Sequence, residues 1–93
     1  MLLGSKVHTA GDTKRWKLDF HRWLDNTATI VNASVTSSSE TCTVRPAPKI
    51  LGKEVIFFLT GGTVGETLTV SVMIEDSFGN IKNDTVAYTV IAP

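Results

Sequence analysis

The chain has one cysteine, Cys42. A lone thiol excludes an intramolecular disulfide, so the fold holds without covalent bracing and the redox compartment stays open. A surplus of charge is missing as well: nine Lys and Arg stand against nine Asp and Glu, a formal charge of zero. No long-range field then gathers nucleic acid or anionic lipid on the surface, and neither is expected as a partner. Long apolar runs are absent. Nothing approaches the roughly 18 apolar residues that span a bilayer, and Met1-Leu2-Leu3-Gly4-Ser5-Lys6 is too briefly apolar for a signal peptide. Histidine is scarce: His8 and His21 have no Cys, Glu or His at ligand spacing, which leaves no zinc pattern.

What is present suits one small domain. The 93 residues are 42% hydrophobic and 19% charged, too apolar for disorder. A chain this short buries only roughly 60 to 65% of its unfolded surface, so its reserve of stability is thin and association with neighbours would help it. The basic cluster Lys14, Arg15 and Lys17 is interrupted by Trp16 and answered by Asp19. In a strand its alternate members point to opposite faces, which reads as a solvated edge.

Residues Leu2 to Thr13 show no sustained periodicity and read as an arm. From Lys14 the pattern changes, with Trp16, Leu18 and Phe20 alternating with polar neighbours, the signature of a strand with one apolar face. His21 to Asn26 breaks the alternation, and a single helical turn or a bulged corner there would set Trp23 and Leu24 as a lid over one end of the core. A second strand runs from Thr27 to Thr36 with Val31, Ala33 and Val35 on one face. A short strand follows at Thr41 to Arg45, Pro46-Ala47-Pro48 is a stop, and Lys49 to Leu51 is a brief edge strand. Val55 to Leu59 is apolar on both faces, as in a central strand. Thr60-Gly61-Gly62-Thr63-Val64-Gly65 turns the chain into Thr67 to Glu75, and the turn Asp76 to Asn80 leads into Asp84 to Ile91. Trp16, Leu18, Val55, Phe57, Leu68, Val70, Val72, Tyr88 and Val90 are the expected core.

About seven short strands with turns every eight to twelve residues predict an all-β, immunoglobulin-like sandwich over residues 14–93 behind an arm at residues 1–13. Catalytic chemistry finds no footing. Cys42, in Thr-Cys-Thr-Val, has no nearby His or Asp to activate it. His21 beside Asp19 and Asp25 imitates an oriented base, yet no nucleophile motif accompanies it. Asp76 and Asp84 could offer oxygens to calcium, but Asp opening and Gly79-Asn80 closing a tight turn is what the backbone itself needs. The glycine-rich segment joins strands and opens no helix, so it cradles no phosphate. No catalytic residue, cofactor or metal is expected.

Lys17-Leu18-Asp19-Phe20-His21-Arg22-Trp23-Leu24, then Ala28-Thr29-Ile30, then Phe58 through the Gly61-Gly62-Thr63-Val64-Gly65 turn to Val70 carry a resemblance. From about Thr13 to Val90 the chain resembles a family of short phage proteins. These combine an Asp-aromatic strand end, a Trp-Leu corner, a Thr-Ile strand start and a Gly-Gly-Thr-x-Gly hairpin. Members of the family are similar to immunoglobulin-like virion proteins and are often described as fibre-tail adaptors, or are left without an assigned role among head and neck genes. Phe20 stands where many relatives carry Trp, and their arm is shorter, so contacts made by this arm do not carry over. The resemblance supplies no catalytic residues.

It implies a non-enzymatic virion protein, made in the bacterial host cytoplasm, that connects subunits at the neck or tail by joining fibres or spikes to the tail. Its partners would be other virion proteins (tail, neck, fibre or capsid subunits), with several copies in a symmetric assembly. A capsid decoration protein that bridges capsomers is one alternative and an immunoglobulin-like adhesin module another. Contacts with partners are expected from Leu2, Leu3 and Val7, which so small a core cannot cover, and from Trp23 and Phe78 at the corner and turn. An extended arm could add a strand to a partner's sheet.

Overall fold

Alternation of apolar and polar residues becomes strand along the chain. A computed structural model, which describes residues 2–45 and 48–93, contains eight strands and, among the described residues, no helix. They are β1 (Leu2–Thr9), β2 (Thr13–Asp19), β3 (Ile30–Ser37), β4 (Cys42–Val44), β5 (Lys49–Leu51), β6 (Glu54–Gly61), β7 (Thr67–Asp76) and β8 (Ile81–Ile91). One sheet has the order β1-β8-β7-β3 and the other β2-β6-β4. β5 pairs with β6 as well, following β4 along the edge that β2 leaves free. Of the proline stop between β4 and β5, Pro46 and Ala47 lie outside the described residues.

The inward faces meet in one core. Val55, Phe57 and Leu59 of β6 face Leu68, Val70, Val72 and Ile74 of β7 and Val86, Tyr88 and Val90 of β8, none more than 4% exposed. Trp16 and Leu18, expected to be largely buried, are half-buried, because β2 is an edge strand with no neighbour on its outer flank. Trp16 still ties the sheets together: its ring meets Tyr88 edge to face, centroids 5.0 Å apart at 71°. Burial pushes the Tyr88 phenol above its ordinary pKa.

Three further sequence expectations are corrected. There are eight strands rather than about seven. The segment read as an arm is largely β1, which lies parallel to β8 from Leu2 opposite Thr85 to Thr9 opposite Ile91. Without it, β8 would present a long row of unpaired amides and carbonyls, and pairing through the backbone asks little of side-chain sequence. His8 on β1 is fully buried, its Nε2 within 3.2 Å of the Asp12 carbonyl oxygen. On β3, a register shift between Ile30 and Asn32 turns Ile30 inward and leaves Val31 56% exposed, so only Ala33 and Val35 keep the anticipated face.

The corner after β2 is a single turn, with the amides of Trp23 and Leu24 both donating to the Phe20 carbonyl at 3.0 Å. Leu24 is buried beneath it and Trp23 is 36% exposed.

At the opposite end the glycine turn packs backbone to backbone. A Cβ on Gly61 would lie 2.5 Å from the Thr41 carbonyl oxygen, and one on Gly62 would lie 3.0 Å from a Val90 methyl, with φ at +88° and +109°. Glu66 clamps this contact, its carboxylate accepting from the Ser39 and Thr41 hydroxyls and from the Thr63 amide at 2.7 Å. The Ser39 hydroxyl first, then that of Thr41 and the Thr63 amide, hold the carboxyl below its usual range. A depressed folded pKa contributes stability above the unfolded value and loses it as pH falls through the folded one. The melting temperature of Glu66→Gln is therefore expected below that of the parent near neutral pH, and the gap should close as the pH falls below the usual carboxylate range and the folded protein takes up the proton. A gap that persisted in acid would show that shape, not charge, is at stake.

Candidate interaction surfaces

With the core filled, the outer faces and ends of the sandwich are what can act on other molecules. Strand register sets the outer face of the second sheet into rows. One row holds Thr13, Thr60 and Thr43, and the next Arg15, Phe58 and Arg45, with Arg45 donating its amide to the Phe58 carbonyl at 2.9 Å. Then come Lys17, Ile56 and Lys49, and finally Asp19, Glu54 and Leu51.

Two successive rows therefore read cation, apolar, cation. The Arg45 guanidinium lies 5.7 Å from the Phe58 ring centroid, and Phe58 is 39% exposed. Lys17 pairs with Glu54 at 3.1 Å. Arg15, Arg45 and Lys49 have no carboxylate partner among the described residues, and with Leu51, Ile56 and Phe58 they line a groove of about 520 Å³.

The outer face of the first sheet is of another kind. Its rows, running from β7 across β8, pair Thr67 with Thr89, Thr69 with Ala87, Ser71 with Thr85, Met73 with Asn83 and Glu75 with Ile81. β3 adds Thr36, Ser34 and Asn32, and β1 adds Ser5 and Val7. Glu75 is the one charge among these residues. Charge depletion of this extent characterises the centre of protein interfaces rather than free surface.

The residues singled out from sequence are only partly brought together. Trp23 and Phe78, the latter 59% exposed, share one end of the molecule. Ser77 donates its amide to the Thr29 carbonyl at 2.8 Å and Thr29 donates its own to the Ser77 hydroxyl at 3.2 Å, which ties corner to turn. Val7, 52% exposed, pairs with Thr89 near the far end of β8 and does not join them. Leu2 and Leu3 belong to β1, and their side chains lie outside the described residues. Lys82 braces the Trp23 corner, its ammonium 5.5 Å from the ring centroid and 3.6 Å from the buried Asp84 carboxylate.

The cationic rows were not visible in the sequence. Arg15 and Lys17 were legible as an exposed pair, and Val55 to Leu59 as a central strand, but which residues flank Phe58 depends on pairing across distant segments.

The polar groups that could suggest chemistry are engaged in structure. Asp76 accepts the amides of Phe78 and Asn80 at 2.9 Å and the Asn80 side-chain amide at 3.2 Å. Burial raises its carboxyl, but the amides of Asn80, Phe78 and Gly79 outweigh that and lower it on balance. Asp19 accepts the His21 backbone amide at 2.8 Å. The Cys42 thiol is fully buried, and burial, reinforced by Glu66, pushes it above its ordinary range, which disfavours the reactive thiolate. Among the described residues no three or more His, Cys, Asp or Glu gather where they could hold a metal ion.

A family model described as "Podophage GP4 fiber-tail adaptor protein gp77" matches residues 8–89. No curated protein matches the chain. Among solved structures it is similar to one titled "Solution Structure of Amebosin", at 14% identity over 96% of this chain and 95% of that one, with a TM-score of 0.43, a likeness too slight to bear on function.

Proposed function

The chain belongs to the podophage GP4 fiber-tail adaptor protein gp77 family, and from that premise we propose that it is a non-enzymatic structural protein of a tailed-phage particle, joining fibres or spikes to the tail at the neck or tail. The family match across residues 8–89 is the observation that carries this reading. The architecture suits it. An adaptor holds two partners at once, and a sandwich whose outer faces differ, one nearly uncharged and one cationic and apolar, offers each partner its own surface.

The strand order supports an immunoglobulin-like assignment: β8, β7 and β3 against β2, β6 and β4 follow the two sheets of that sandwich, with β1 joined to the last strand. On this reading the protein resides in the virion in several symmetry-related copies. Val7 contributes contacts on the first of these faces, and Trp23 and Phe78, with Leu2 and Leu3, add others.

Particles assembled without the chain test the reading. Filled heads that lack fibres and fail to adsorb, with the protein present in wild-type particles at the copy number of a tail component, are expected. A copy number near that of the shell protein, with fragile heads on depletion, would instead make it a capsid decoration protein.

A further inference from the structure

We propose that the outer face of the second sheet docks an acidic, extended segment of another protein, with carboxylates flanking an apolar side chain that rests beside Phe58. This deepens the adaptor reading and rests on it for the partner being a virion protein.

Arg15 on β2 and Arg45, the residue that follows β4, flank Phe58, and Lys17 on β2 and Lys49 on β5 flank Ile56. Neighbouring strands lie roughly 4.8 Å apart, so the flanking cations are based about 10 Å from each other with an apolar strip between them. Two or three residues of extended chain cover that span, which sets carboxylates either side of one apolar anchor. Arg45 is held by the hydrogen bond its backbone amide donates to the Phe58 carbonyl and by the ring beneath its guanidinium, so it loses less freedom on meeting a carboxylate.

The charges point to the occupant. In a chain of zero formal charge, Arg15, Arg45 and Lys49 without carboxylate partners among the described residues make this groove locally positive. Exposed ion pairs are individually weak, so the apolar strip is needed to anchor what the cations select. A nucleic acid fits less well. A polynucleotide needs a cationic track that continues along its phosphates. Here the cations end after two rows, with threonines on one side and Asp19 and Glu54 on the other, and the Phe58 ring is already faced by Arg45.

The test is a titration of the full isotope-labelled chain, followed by amide chemical shifts, with three probes. They are a short peptide carrying one phenylalanine between pairs of aspartates, the same peptide with lysines for aspartates, and a short oligothymidylate. The acidic peptide is expected to move the amides around Arg15, Arg45, Lys49 and Phe58. Its affinity should fall at least about tenfold in the double variant Arg15→Glu and Arg45→Glu, as loss of two charge contacts and gain of two repulsions implies. Arg45→Gln, which keeps the packing on Phe58, is expected to lose about threefold and serves if the double variant unfolds. Arg22→Glu is expected to bind as the parent does.

Shifts elsewhere, no shifts, equal binding of the lysine peptide, or tighter binding of the oligonucleotide would overturn the proposal. In particles, the double variant should incorporate at about a tenth of the parent level. Normal incorporation would remove this face from assembly. A parent chain missing from particles would sink the adaptor reading while the titration still judges the face.

Discussion

Phe57→Ala is expected to lower the unfolding free energy by about 3 to 5 kcal/mol. Phe57 is 1% exposed on the inner face of β6, a strand bordered by β2 on one side and by β4 and β5 on the other. Neighbours on both sides restrain collapse into the space left behind, so the cavity cost adds to the lost transfer free energy of the ring. Small domains hold only about 5 to 15 kcal/mol in total, and a chain of this length sits toward the lower end. The variant should therefore unfold at much lower denaturant concentration with little change in the slope of the transition. A loss under about 1 kcal/mol would mean that the two sheets close over the gap, and that the core is more deformable than its packing indicates.

Removing residues 1–9 is expected to lower the melting temperature by about 10 °C or more, equivalent to roughly 2 kcal/mol in a domain of this size. The parallel ladder with β8 would be lost, the buried His8 would leave the inner face, and β8 would become an unprotected edge. Read from sequence alone, removing residues 1–12 would trim an arm and leave the melting temperature unchanged. Differential scanning calorimetry separates the two outcomes. An unchanged melting temperature would return this segment to the role of an arm free to dock on a neighbour. A fall accompanied by concentration-dependent aggregation would mark β1 as the guard of the sheet edge.

The contrast between β1 and β7 explains what could be read. In β7, Leu68, Val70, Val72 and Ile74 alternate with polar residues, and all four are buried as that alternation requires. β1 carries Gly4, Ser5 and Lys6 in a pattern with no apolar period, and its place comes from backbone groups that every residue shares. The glycine turn was legible as a turn. That Gly61 admits the Thr41 carbonyl and Gly62 the Val90 side chain became visible only when β4 and β8 were placed against it. Trp23 and Phe78 were legible as exposed aromatics at a corner and a turn. Their position at one end follows from the bonds between Thr29 and Ser77.

The sequence by itself determined the all-β class, the inward set on most strands, the turns, and the lack of a recognisable catalytic or metal-binding pattern. These are local properties: a side chain's preference for water or core, read at a period of two residues, needs no knowledge of distant segments. Only the tertiary structure decided that β1 belongs to a sheet, that Val31 faces out, and that Arg15 and Arg45 stand on either side of Phe58. Strand order and register are settled by long-range backbone pairing and by how two twisted sheets bury their apolar faces together. The hydrogen-bonding groups that do the pairing are the same in nearly every residue and leave no trace in the order of side chains.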